Sequence, residues 1–182
     1  MTNRYKYEIR EDEYPFDPRE GDCNLSVLAL SVRGYDLPNE MSVNFDDFGS
    51  WQEVHDYIKD NGGLFIKPVY AYIHGGITIS LGSFSCKWDS GCIGFVFTTQ
   101  EKINEWGISQ DKVEACIEAE IEEYDKYLTG DCYRVEIIDT IDGEVIETFG
   151  GLGYSDMVKE AESYVAHLIE TTPEQLALIG AA

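Results

Sequence analysis

The densest collection of chemically capable side chains lies in "YAYIHGGITISLGSFSCKWDSGCIGF", residues 70–95. His74, Cys86, Asp89 and Ser90 supply an imidazole, a thiol, a carboxylate and a hydroxyl. A thiolate nucleophile needs a nearby base, and the imidazole that serves as base needs an orienting carboxylate. Cys86, His74 and Asp89 are therefore the candidate triad of a small thiol-dependent enzyme. Nothing in their spacing requires it. The plainer reading puts His74 at a turn, Cys86 in the core as a small hydrophobe, and Trp88 buried beside it. Asp89-Ser90-Gly91 then forms a turn, and Gly91 and Gly94 allow close backbone packing.

Metal chemistry is a second option. Cys86 and Cys92 are six apart, and His74 would have to join them. Structural zinc brings closer cysteine pairs than this, and no second pair is present, so no zinc is expected. Asn44, Asp46 and Asp47 crowd one short stretch and could hold a hard cation. A helix start explains them better, because carboxylates there oppose the helix dipole. Neither a metal nor a cofactor is expected. No phosphate loop, dinucleotide fingerprint, HExxH or Gly-x-Ser-x-Gly motif occurs.

Charge is the larger signal. Asp and Glu number 35 against 13 Lys and Arg in 182 residues, a net charge of −22. Residues 1–60 carry −8, residues 61–100 carry +1, and residues 101–182 carry −15. Such a surface repels nucleic acid and anionic lipid and attracts basic proteins, which argues against direct nucleic-acid binding. The acids are most regular over 110–128. Asp111, Glu114, Glu118, Glu122 and Asp125 recur at three or four residues and share one helical face, interrupted by Lys112 and Lys126. On a helix they stand roughly 5–6 Å apart along the axis. That is comparable with a nucleic-acid strand, which carries one phosphate per about 3.4 Å of rise. Asp139, Asp142 and Glu144 extend the candidate binding surface onto a later hairpin.

These residues need elements to position them. With hydrophobic residues at 43% and aromatics at 13%, the chain can bury a core despite its charge. Strands are expected at 4–10, 24–33, 64–73, 77–83 and 92–98, with a second hairpin at 132–140 and 144–149 turning on Asp142-Gly143. Parity fixes the first hairpin. A three-residue loop from His74 to Gly76 pairs Ile73 with Ile77 and Ala71 with Ile79, keeping apolar residues on one face, with Gly76 in the left-handed position. The register of the second hairpin stays open. Helices are expected at about 47–60, capped by Asp46 or Asp47 with Trp51, Val54 and Ile58 inward, and from a Thr98–Glu101 capping box to Gly107. Two more are expected over about 110–128 and 155–169. The sum is a single α+β domain spanning 1–182, mainly an antiparallel sheet of hairpins with about four helices, and 170–182 as a loose tail. Tyr70, Tyr72, Thr78 and Ser80 would line the pocket of a ligand-sequestering module, if one exists. The odd number of cysteines, five, argues for reduced thiols. With no apolar run long enough to span a bilayer and no secretory signal at "MTNRYKYEIR", a cytoplasmic protein is expected.

The segments "YAYIHGGITI", "FSCKWDSGCIGFVF" and "VEACIEAEIEEYDKYLTGDCYRVEI" resemble a family of small acidic proteins carried by bacteriophages, plasmids and integrated elements. The matching positions are His74, Gly76, Ile77, Thr78, Ser85, Cys86, Trp88, Asp89, Ser90, Gly91, Gly94 and Phe95, then Glu123 to Tyr133. The likeness covers residues 64–135 and weakens over "DPREGDCNLSVLAL", where Cys23 intrudes. It carries no catalytic residue across. It implies a mobile-element protein acting inside a bacterial host. Small acidic proteins of such elements often block restriction or CRISPR machinery, some by imitating DNA charge, and with a net charge of −22 the expectation is an inhibitor of the antirestriction or anti-CRISPR type that turns its acidic surface to a basic defence protein.

Overall fold

The computed structural model describes residues 3–21 and 23–171. In chain order the elements are β1 (Tyr5–Glu11), β2 (Val27–Leu30), a 3-10 turn (Phe45–Asp47), α1 (Trp51–Asp60), β3 (Gly63–Ile73), β4 (Ile77–Ser80) and β5 (Ser90–Thr99). They continue as α2 (Gln100–Trp106), α3 (Gln110–Thr129), β6 (Cys132–Asp139), β7 (Val145–Leu152) and α4 (Tyr154–Thr171). The chain is α+β, with its strands in two antiparallel sheets. The expected tail lies outside the described residues, apart from 170 and 171, which close α4.

The chain divides into two compact units. The Asp17–Thr129 unit holds a four-stranded sheet ordered β2-β5-β3-β4. Its first hairpin has the register that parity demands: Ile73 faces Ile77, Ala71 faces Ile79, Tyr72 faces Thr78 and Tyr70 faces Ser80. The left-handed residue of the turn is Gly75 rather than Gly76. One sheet face takes Leu28, Leu30, Val69, Ala71, Ile77 and Ile79 against α2 and α3, whose inward stripe is Ile103, Val113, Ile117, Ile121 and Tyr124. The opposite face packs Ala29, Phe95 and Phe97 against Val54 and Ile58 of α1 and Val43.

The starts of α1 and α2 are set by hydroxyls. Ser50, not Asp46 or Asp47, caps α1, accepting from the Glu53 N–H, while the two aspartates sit in the 3-10 turn before it. Trp51 is partly exposed and meets the Phe45 and Phe95 rings edge-on instead of filling the core. Thr99, one residue later than expected, caps α2, leaving the buried Thr98 hydroxyl to donate to the Leu25 carbonyl.

The other unit comprises the residues up to Phe16 and from Gly130 onward. Its sheet is ordered β1-β6-β7, and α4 packs Met157, Ala161 and Val165 against Tyr5, Val135 and Ile137. The open register of the second hairpin resolves with Cys132 opposite Leu152 and a shift between Ile137 and Ile138. Gly143, at φ 77°, supplies the expected turn.

Candidate functional site

The β3–β4 turn and the loop before β5 are held together by the Ile73 N–H, which donates to the Asp89 carbonyl at 2.7 Å. This brings the three suspected catalytic groups into one neighbourhood, in the wrong order. Asp89 Oδ2 lies 3.5 Å from His74 Nδ1 and 3.8 Å from Cys86 Sγ. The thiol therefore meets the carboxylate, whereas a nucleophilic triad needs the imidazole at the thiol. His74 is exposed and stacks on Tyr72. The small cavity that His74 lines, about 270 Å³ with Tyr72, Gly76, Ile77, Thr78, Leu128 and Thr129, includes neither Cys86 nor Asp89. Ser90 spends its hydroxyl on the Cys86 carbonyl.

The loop between β4 and β5 is not buried as expected. Cys86 is only half-buried, and Trp88 is 95% exposed. The loop between β4 and β5 leaves the sheet at Ser80 and returns only at Ser90, so Trp88 has no strand to turn it inward. All five cysteines are free. Burial pushes the Cys92, Cys116 and Cys132 thiols up, further from the reactive thiolate. Among the described residues no group of three or more His, Cys, Asp or Glu could hold a metal ion.

The carboxylates of α3 divide into three sets. Asp111, Glu114, Glu118 and Glu122 are exposed. Glu114 and Glu118 close on one ammonium: Lys67 Nζ from β3 lies 3.1 Å from Glu114 Oε2 and 2.9 Å from Glu118 Oε1. Glu118, with Glu114 adding to it, raises the Lys67 pKa against the opposing effect of burial. Asp125 is half-buried and turned to the sheet, where its Oδ1 accepts from the Thr78 hydroxyl and the Ile79 N–H, each at 2.7 Å. It thereby caps part of the edge of β4.

Glu120, absent from the expected stripe, points inward. Its side chain is 10% exposed and accepts from the Leu25 N–H at 2.7 Å, the Ser26 N–H at 2.9 Å and the Ser26 hydroxyl. Arg19 stands 3.5 Å away and forks onto Glu40 at 2.7 and 2.9 Å, and Glu40 in turn accepts from the Leu28 N–H. The sequence did hold a signal for Glu120. It falls in register with Val113, Ile117, Ile121 and Tyr124, where an inward face calls for an apolar residue.

Between β4 and α3 runs a cavity of about 600 Å³. Its floor is Ile79, Leu81, Phe84 and Ile121, and its wall is Glu118, Glu122, Asp125 and Lys126. Thr78 and Ser80 line it, as expected for a pocket, but Tyr70 and Tyr72 do not. In the second hairpin, Asp142 and Glu144 are exposed. Asp139 is 5% exposed, its carboxylate accepting from the Ile141 N–H and the Arg4 guanidinium at 2.9 Å each. The Ile141 amide first, and Arg4 with it, hold the Asp139 carboxyl below the usual value although burial opposes them. Asp139 therefore shapes the turn and is not part of an outward carboxylate surface. It belongs with Asp142 and Glu144 to a different unit from α3.

No protein-family model, no curated protein and no solved structure matches the chain. No helix among the described residues is long and apolar enough to cross a membrane.

Proposed function

We propose that the chain binds and blocks a basic, nucleic-acid-binding defence protein of a bacterial host, as a mobile-element inhibitor that offers carboxylates where the target expects phosphates. The observation that carries this reading is the outward carboxylate row of α3, whose attraction for cations its clasp on Lys67 displays. Two outward glutamates of α3, one turn apart, already converge on one ammonium at salt-bridge distance. A partner's lysines and arginines would meet the same face through Asp111, Glu114, Glu118 and Glu122. The excess of carboxylates over the whole chain supports the same partner chemistry, since a field of this sign steers cations in and nucleic acid away. The thiol-dependent reading is weaker, because the Cys86 thiol is not at the imidazole.

The test is capture of partners from bacterial lysate on the immobilised chain. Retained proteins should be displaced by duplex DNA and by salt, and should be lost from a variant carrying Glu114→Lys, Glu118→Lys and Glu122→Lys. Retention that survives the triple reversal, or that DNA does not compete, excludes charge imitation by α3.

A further inference from the structure

We propose that the groove between β4 and α3 is a socket for one arginine side chain of the partner, a placement that rests on the inhibitor reading above. An exposed carboxylate row alone would bind cations loosely and without position. The groove adds what a row lacks. Its floor is apolar, made by Ile79, Leu81, Phe84 and Ile121, so the methylene stem of a long basic side chain loses water against it. Its wall presents Glu118, Glu122 and Asp125 against Lys126.

The roles of these carboxylates differ. Asp125 Oδ1 is committed to Thr78 and Ile79, and Glu118 Oε1 to Lys67. Glu122, between them on the helix, has no ion pair among the described residues and is the carboxylate left for an incoming cation. Arginine fits better than lysine. Its planar guanidinium can donate to two carboxylates at once and stack on a ring, and Phe84 supplies the ring.

The experiment is an amide-shift titration of the isotope-labelled full chain at low salt. Three capped tripeptides, glycine-X-glycine, carry arginine, lysine or citrulline, the last replacing guanidinium by a neutral urea. The arginine peptide should move the Ile79, Leu81, Ile121 and Glu122 amides along one saturating curve, and citrulline should leave them still. Glu122→Gln should weaken arginine binding about tenfold, the loss of one charge-assisted hydrogen bond. Glu160→Gln, on the exposed face of α4, should change nothing. The socket is overturned if shifts follow every surface carboxylate without saturating, if citrulline binds like arginine, or if Glu122→Gln binds like the parent. Lysine binding as tightly as arginine overturns the assignment to arginine. A saturating groove with no partner captured from lysate would leave the socket standing and sink the inhibitor. Partner capture lost on triple reversal, with no arginine bound in the groove, would do the opposite.

Discussion

Glu118 and Glu120 stand two positions apart on α3, one reaching Lys67 at the surface and the other reaching Leu25, Ser26 and Arg19 inside the Asp17–Thr129 unit. Their chemistry is identical and their energetics are not. Removing Glu120 leaves two amides of fully buried residues without an acceptor, and removes one carboxylate from an arginine whose side chain is 5% exposed. Unpaired buried donors, and a buried cation short of its partner, each cost far more than a solvated pair contributes. Glu120→Ala should therefore destabilise the chain by about 3 kcal/mol. Glu118→Ala should cost less than about 1 kcal/mol, because the pair with Lys67 is half in water. Urea denaturation of both variants checks the ordering, and equal midpoints would refute the inward role of Glu120. The same comparison shows what residue patterns could tell. Spacing places Asp111, Glu114, Glu118 and Glu122 outward, but it also puts Asp125 on that face, whereas Asp125 turns to β4. The inward carboxylate follows from its register, but its partners come from the segment around Arg19 and Ser26, about a hundred positions away in the chain, and no local pattern reports that distance.

At the scale of elements, the β2–β5 pairing depends on a glycine. Gly94 of β5 has φ +147° and lies opposite Leu30, and a Cβ there would stand 2.0 Å from the Ala29 carbonyl oxygen. That oxygen belongs to a neighbouring strand and cannot swing aside. Gly151 of β7 is also crowded, but the atoms a Cβ would meet, at 2.5 and 2.8 Å, are the methyl and sulfur of Met157, a side chain with three torsions to spare. Gly94→Ala should lower stability by at least about 3 kcal/mol and disrupt pairing of β2, whereas Gly151→Ala should cost about 1 kcal/mol. Thermal melts of the two variants, with amide exchange at Leu28 and Leu30, decide between them; similar melting temperatures would mean the strands can part at little cost. Elements were legible where alternation was strict. The β3–β4 hairpin could be registered from parity because a one-residue slip would expose Ile77 and Ile79. The stretch "FSCKWDS" misled because its apolar residues suggested burial without any period to say which way they point. Trp88 is hydrophobic and lies outside every strand.

Across the whole molecule the charge is not confined to α3. The Asp17–Thr129 unit has 20 carboxylates against 8 Lys and Arg, and the rest of the chain has 15 against 5. Even with every cation paired one to one, more than half of the carboxylates in each unit are left without a cation. What distinguishes α3 is thus its geometry, a clasp and a groove beside an apolar floor, rather than its sign. The surplus has a consequence for stability that opposes its consequence for binding. Salt shortens the reach of charges from about 30 Å at 0.01 M to about 3 Å at 1 M. In the free chain this weakens attractive pairs such as Lys67 with Glu118, worth less than about 1 kcal/mol each, and also weakens repulsion among a larger number of unpaired carboxylates. Repulsion wins on number, so adding sodium chloride over this range should raise the melting temperature, by roughly 2–4 °C for each 1 kcal/mol of repulsion relieved. The same salt should release a basic partner held by that field. Melting and partner binding followed in one salt series should therefore move in opposite directions. A melting temperature that falls with salt would mean that attractive pairs dominate the folded chain, and the carboxylates would then be engaged within the protein instead of standing free for a partner.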